Sequence, residues 1–214
     1  GWRPAKPVGV RETRMLSEAE GKVLLAKAGV PVPRGVTAGT LDELMAKAGS
    51  LTAPLVLKGL GFAHKTEAGA VRLGLSSLDG QVEMPGAEGY LAEEMVTGAL
   101  AEILVGVRRD PVYGATMTVG MGGVTAELLA DTATLVLPAS EQDILEAMKG
   151  LRLWPLLDGY RGRATADVAS VATLAAKLAA LMLADDRLEE IEINPVMVTA
   201  ESAIAVDALV RVAS

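Results

Sequence analysis

The segment "LEEIEINPVMVTAESAIAVDAL", Leu188–Leu209, constrains the fold more than any other stretch of the chain. Ile191 and Ile193 alternate with Glu190, Glu192 and Asn194, the period of a strand with one face in a core. "EEIEINPVMV" and "AIAVDALVR" therefore read as two strands that close the chain. If Ala200 and Glu201 are the centre of a two-residue hairpin turn, Asn194 stands opposite Asp207. Directly facing side chains have Cβ atoms about 4.5–5.5 Å apart, close enough to share one cation. Glu192, two residues before Asn194, projects from the same face. Oxygen ligands of this kind suit magnesium, which keeps several waters and is completed by substrate phosphates. The same pattern also describes the solvent-facing side of an ordinary hairpin, and Pro195 forbids an unbroken central ladder.

Half of the 214 residues are hydrophobic but only 3% are aromatic, so the core must come from Ala, Val, Leu and Met. The formal charge of −7 argues against a general nucleic-acid binder, whose affinity needs clustered cations. There is no cysteine, hence no disulfide, thiolate nucleophile or cysteine-based metal cluster; a cytoplasmic home fits this. The most apolar run, "VASVATLAAKLAALMLA" from Val168 to Ala184, is Ala-rich and interrupted by Lys177. It reads as a buried helix rather than a membrane span, and no signal peptide is visible. The opening "GWRPAKPVGV" lacks methionine, so residues 1–14 are expected to be an extended segment or a tag remnant on an excised domain.

Ser17 opens "SEAEGKVLLAKAG", a capping box with Glu20 and a terminal Gly29, which predicts a helix. "VPVPRGV" follows as extended chain, and Thr40 with Glu43 starts a second short helix. Strands are expected at Pro54–Gly59, Ala70–Ser76, Tyr90–Val96, Leu100–Arg109 and Ala115–Gly120, and helices over Ser140–Lys149 and from Thr165 to about Ala184. Helices and strands alternate without a strict βαβ rhythm, which predicts an α+β architecture with antiparallel sheets. Two lobes are expected, 15–95 and 96–214, hinged near Glu93–Gly98.

Further residues carry chemistry less specifically. Lys58 ends an apolar run on the same face as Val56 and could hold a phosphate as a point charge, or simply snorkel. "GMGG" at Gly120–Gly123 could expose backbone N–H groups to an anion or form a tight turn. Glu102 lies opposite the Ile103, Val105 and Val107 face of its strand, where a carboxylate could accept from ribose hydroxyls or merely face water. Arg161 and Arg163 in "DGYRGR" offer guanidinium forks. His64 is the only histidine, in a glycine-flanked loop between two strands; alone, it is equally an ordinary surface residue.

In collinear order, "SEAEGKVLLAKAGVPVP", "LVLKGLGFAHKTEAGAVRLGL", "EEMVTGALAEILVGVRRDPVYGA", "VGMGGVTAELLAD", "PLLDGYRGR" and "EIEINPVMV…AVDA" resemble the ATP-grasp domain of NDP-forming acyl-CoA synthetases. Relatives include ADP-forming acetyl-CoA synthetase and, more distantly, the β subunit of succinyl-CoA synthetase. The resemblance implies an ATP-grasp fold of two α+β lobes with a nucleotide cleft between them. It implies Lys58 as the lysine reaching the nucleotide phosphates. Glu93, Glu94, Met95 and Val96 become the hinge that receives adenine, and Glu102 the ribose ligand. Asn194 and Asp207 become magnesium ligands, Glu192 the acid beside a phosphohistidine, and His64 the phosphoryl carrier on a swinging loop.

The family reaction is acyl-CoA + phosphate + NDP giving carboxylate + CoA + NTP, reversibly. The resemblance therefore implies ATP or ADP and Mg2+ as cofactors, and a CoA-binding, α-subunit-like ligase domain as partner, in cis or in trans. It is compatible with an oligomer and calls for neither nucleic acid nor membrane. Three positions depart from the family pattern: Ala70 for a glycine, Tyr113-Gly114-Ala115 for F-G-P, and Leu135 for an arginine four residues after Asp131. The loss of that cation keeps a second reading open, a non-catalytic regulatory synthetase-like domain of a protein lysine acetyltransferase.

Overall fold

The computed structural model describes residues 12–62, 69–123 and 129–214. The elements run β1 (Thr13–Met15), α1 (Glu18–Lys27), β2 (Gly35–Ala38), α2 (Leu41–Lys47), β3 (Leu55–Leu60), β4 (Val71–Leu75), β5 (Gly89–Glu94), β6 (Ala101–Asp110), β7 (Gly114–Met121) and β8 (Thr132–Val136). Then follow α3 (Glu141–Lys149), α4 (Trp154–Leu157), α5 (Val168–Ala184), β9 (Leu188–Val198), β10 (Ala203–Ala205) and β11 (Leu209–Ala213). Among the described residues the strands form two sheets, antiparallel throughout. One has the order β1–β11–β9–β6–β7–β8 with β10 also paired to β9; the other has the order β2–β5–β3–β4.

The helices begin where the caps dictate. Ser17 Oγ accepts from Glu20 N while Glu20 Oε2 accepts from Ser17 N, and Thr40 caps Glu43 N. The last long helix starts at Val168, not Thr165. Ala166 N donates to Leu157 O and Asp167 N to Thr199 O, which keeps the approach non-helical until Asp167 caps Ser170 N. The expected strands recur within two residues. Unforeseen were β1, the short helix α4, the edge strand β8 with Thr132, Thr134 and Val136 exposed, and the break of "AIAVDALVR" into β10 and β11 at residues 206–208.

The chain divides into two compact units, 33–97 and a second made of the N-terminal segment to Val32 together with 98–214. This corrects the expected 15–95 lobe. Residues 12–32 belong with the C-terminal part because β1 pairs with β11 and the α1 backbone comes against Val210 at Gly21, where a methyl would meet Val210 Cγ2 at 3.2 Å. Thr13 and Arg14 are sheet residues rather than a trailing remnant; residues 1–11 lie outside the described set.

In the unit containing 98–214, α3 and α5 cover one face of the sheet. Ile103, Val105 and Val107 of β6 and Met117 and Val119 of β7 point into that core with Leu174 and Leu178 of α5. Among the described residues its fully buried members are aliphatic or Met, as the aromatic-poor composition requires. In the 33–97 unit, α2 contributes Leu41 and Leu44 to a smaller core closed by Leu57, Tyr90 and Met84, whose N–H donates to the Tyr90 hydroxyl. Among the described residues no helix is long and apolar enough to cross a membrane.

Candidate functional site

The terminal hairpin turns at Thr199–Ser202, as its sequence requires, with Thr199 N donating to Ser202 O. On one side of the loop the register is Ala203↔Val198, Ile204↔Met197 and Ala205↔Val196; on the other it is Leu209↔Glu192, Val210↔Ile191 and Arg211↔Glu190. Both sets keep one count across the hairpin, so the bracketed residues Asn194 and Asp207 fall at facing positions. Between them the ladder is interrupted as Pro195 demands, although Val206 N still donates to Pro195 O at 3.3 Å.

Against β6 the same strand shifts register. Ile103 faces Val196 but Val105 faces Ile193, so Asn194 and Pro195 together oppose Leu104. This is a β-bulge, a device that re-aims a side chain and kinks its strand. Core-facing residues change phase across it, from Ile191 and Ile193 to Val196 and Val198. That phase change was present in the sequence and could have located the bulge.

The bulge brings Asn194 to the glycine cluster. Gly123 N donates to Asn194 Oδ1 at 3.0 Å, and Gly122 N donates to Glu102 O at 2.8 Å. These glycines are required by close approach rather than by an anion nest. A methyl on Gly122 would lie 2.7 Å from Ile103 C and 2.9 Å from Leu104 N. A methyl on Gly123, which has φ +62°, would overlap Glu102 Oε2. Glu102, Gly123 and Asn194 are thus neighbours at the end of β7, a convergence that spacing alone did not reveal.

Glu192, half-buried, faces Gly106 on β6 and Leu209 on β11. Burial pushes its carboxyl above the ordinary range, and repulsion from Glu190 and Asp207 adds to the effect. The site therefore concentrates negative charge where a cation would relieve it. Among the described residues no group of three or more His, Cys, Asp or Glu could hold a metal by itself. Asn194 and Asp207 instead fit an ion that draws most of its ligands from water and phosphate, as magnesium does.

In the 33–97 unit, Lys58 lies inside β3 rather than at its end. Its Nζ is 3.3 Å from Glu93 Oε2 on β5, with side chains 10% and 3% exposed. Alternation sends Glu94 to the other face, where Oε1 accepts from Arg34 Nη1 and Thr52 N, each at 3.0 Å. The carboxylates of Glu93 and Glu94 are therefore engaged in holding this sheet together. Past β5, Met95 N donates to Pro54 O, and Met95 and Val96 are half-buried. His64 lies outside the described residues; β3 and β4 flank its segment.

Leu135 sits on the face of β8 that packs against the core, opposite Met117, whereas Thr132 and Thr134 share the Glu102 side of the sheet through Gly120 and Thr118. The missing arginine is thus a change on the packed side. Ala70 is fully buried in the smaller core, and Tyr113 is exposed at a turn whose Val112 and Tyr113 N–H groups are capped by Asp110. Arg161 lies over the Tyr160 ring at 5.2 Å, and Arg163 is exposed.

The chain was also compared with known families, proteins and solved structures. A family model described as "ATP-grasp domain" matches residues 9–212. The β subunit of acetate–CoA ligase [ADP-forming] I from Pyrococcus furiosus is 31% identical over 92% of this chain and 91% of its own. Acetate–CoA ligase [ADP-forming] I from Archaeoglobus fulgidus is 32% identical over 88% of this chain but only 30% of its own length. Acetyl-coenzyme A synthetase 1 of Ca. Korarchaeum cryptofilum was solved with coenzyme A and Mg-AMPPCP, its phosphohistidine segment pointing towards the nucleotide binding site. It superposes with a TM-score of 0.82 at 27% identity, covering 94% of this chain and 93% of that one. The family-model match and the P. furiosus relative, matched over 91% of its length, place the chain in the ATP-grasp family, among the β subunits of ADP-forming acid–CoA ligases.

Proposed function

We propose that this chain is the nucleotide-binding part of an ADP-forming acid–CoA ligase of the acetate–CoA ligase type. It passes a phosphoryl group between His64 and ADP or ATP. The observation that carries the reading is the acidic hairpin, with Asn194 facing Asp207 by register and tied to Gly123 beside Glu102, in a chain that covers 91% of a relative named for that activity.

In the ATP-forming direction an oxygen of the ADP β-phosphate attacks the phosphorus carried by His64. The N–P bond breaks and its electron pair stays on the ring nitrogen; with a proton on the other ring nitrogen, the imidazole leaves neutral. Little covalent work falls to the protein; its contribution is position and charge. Lys58, held by Glu93, presents its ammonium to the phosphates. Glu102 accepts from the ribose hydroxyls, and the chain at Glu93–Val96 receives the adenine. Glu192 accompanies the phosphohistidine. Asn194 and Asp207 would hold Mg2+, which when bound offsets the phosphate charge.

A CoA-binding domain must form the acyl phosphate and load the histidine. The A. fulgidus relative has room for it in one polypeptide, since the match spans 30% of its length, whereas the P. furiosus relative is a separate β subunit. The test is incubation with γ-labelled ATP and Mg2+ in the presence of the CoA-binding partner. The expected result is acid-labile, base-stable label that His64→Ala abolishes. No such label on the parent chain would overturn the proposal.

A further inference from the structure

The core-facing stripe of α1 is Glu18, Gly21, Lys22 and Leu25, spaced as an apolar stripe but half of it charged. Lys22 Nζ lies 2.9 Å from Glu18 Oε1, and the two side chains are 6% and 2% exposed. A buried ion pair is weak evidence for stability, because well-packed apolar residues do as well or better. What this pair reaches is more informative. Lys22 Nζ also donates to the backbone carbonyl of Val206 at 2.9 Å, across 184 positions of sequence.

Val206 immediately precedes Asp207, in the segment 206–208 where the hairpin leaves its ladder between β10 and β11. Asp207 Oδ1 accepts from Ala208 N at 2.8 Å, so the carboxylate is oriented by its own backbone. Gly21 lets the helix come close enough, since a methyl there would lie 3.4 Å from Ala208 Cβ and 3.2 Å from Val210 Cγ2. The segment is therefore clamped twice, by Pro195 O on the hairpin side and by Lys22 on the helix side.

From this geometry we infer that the buried Glu18–Lys22 pair is a positioning device for Asp207, fixing the metal-binding arm of the hairpin opposite Asn194. The inference rests on the reading of Asn194 and Asp207 as magnesium ligands. Glu18 holds the lysine, the lysine holds the Val206 carbonyl, and the carbonyl sets where the next residue's carboxylate stands. Outer partners of metal ligands typically change affinity by about 10–100-fold when removed.

The test uses Mn2+ as the probe, its binding to the chain followed by electron paramagnetic resonance with AMPPCP present. Nucleotide affinity without metal and thermal unfolding are measured alongside. Removing both charges, Glu18→Gln with Lys22→Met, avoids stranding one buried ion; Mn2+ affinity should fall about tenfold while metal-free nucleotide affinity stays within twofold. Gly21→Ala keeps both charges and favours helix, so it secures the test if the double variant does not fold. By crowding Val210 Cγ2 at 3.2 Å, beside the clamped segment, it should weaken Mn2+ about threefold. Lys22→Arg, which retains a cationic donor, should recover part of the affinity. Mn2+ binding within twofold of the parent in Gly21→Ala, and in the double variant if it folds, overturns the inference. Asp207→Ala separates the two claims: if it too leaves Mn2+ binding unchanged, the metal-site reading itself has failed.

Discussion

Gly123→Ala probes the point where three site residues meet. Gly123 has φ +62°, its N–H donates to Asn194 Oδ1 at 3.0 Å, and an added methyl would overlap Glu102 Oε2 and lie 2.9 Å from Glu102 Cδ. A left-handed conformation costs an L-residue about 1–2 kcal/mol, and a neutral hydrogen bond is worth about 1 kcal/mol. A loss of about 2–3 kcal/mol follows if the turn shifts. At about 2–4 °C per kcal/mol for a domain of this size, the melting temperature should fall by about 5–10 °C. Gly162→Ala is the matched control: φ is +79° but nothing lies within 4 Å, so it bears only the backbone cost. Relocating the Glu102 carboxylate should also weaken ADP. A hydrogen bond to a charged group is worth about 1.5–3 kcal/mol, so calorimetric titration should read a Kd about 10–100-fold higher. If Gly123→Ala melts with Gly162→Ala and binds ADP like the parent, the reasoning that joins Glu102, Gly123 and Asn194 into one site is wrong.

Other expectations follow from the same structure. Asp131→Ala strands the Arg152 and Leu153 N–H groups that its buried carboxylate accepts at 2.9 and 2.8 Å; a loss of about 2–4 kcal/mol in urea unfolding is expected. Glu192 has its pKa raised by burial first and by Glu190 and Asp207 next, so the folded state binds the extra proton and stability falls as pH rises from its unfolded value through the raised one. Glu192→Gln should flatten that slope and melt higher than the parent at neutral pH in metal-free buffer. Asp185 is held down to about 2 by hydrogen bonds from the Arg187 side chain and backbone. Its contribution is therefore present above the ordinary Asp value and lost as pH falls from about 4 to about 2, a slope that Asp185→Asn should remove from an acid titration.

The sequence disclosed the parts of this molecule whose physics is local. Capping boxes at Ser17 and Thr40 located two helix starts, and a turn centred on Ala200 and Glu201 gave the hairpin register on both sides of Asn194 and Asp207. What it concealed depends on contacts between distant segments. The pairing of Lys58 with Glu93 needs β3 beside β5, and the closeness of Gly123 to Asn194 needs β6 between β7 and a bulged β9. Nothing local in the helix sequence singles out Lys22, whose partner lies at Val206. The sequence could not say which face of its strand Leu135 takes; in the structure it packs against the larger core.

The adjacency of β1 and β11 ties segments far apart in sequence into one ladder. Thr13 pairs with Ala213, and Ser214 N donates to Glu12 O at 2.8 Å, so this edge of the larger sheet forms only when widely separated segments meet. The four-stranded sheet, by contrast, is encoded within one continuous stretch and needs no such long-range closure. Since α1 follows β1 directly, the contact of Lys22 with Val206 belongs to the same long-range closure, and the acidic hairpin's clamp shares its loop-closure entropy.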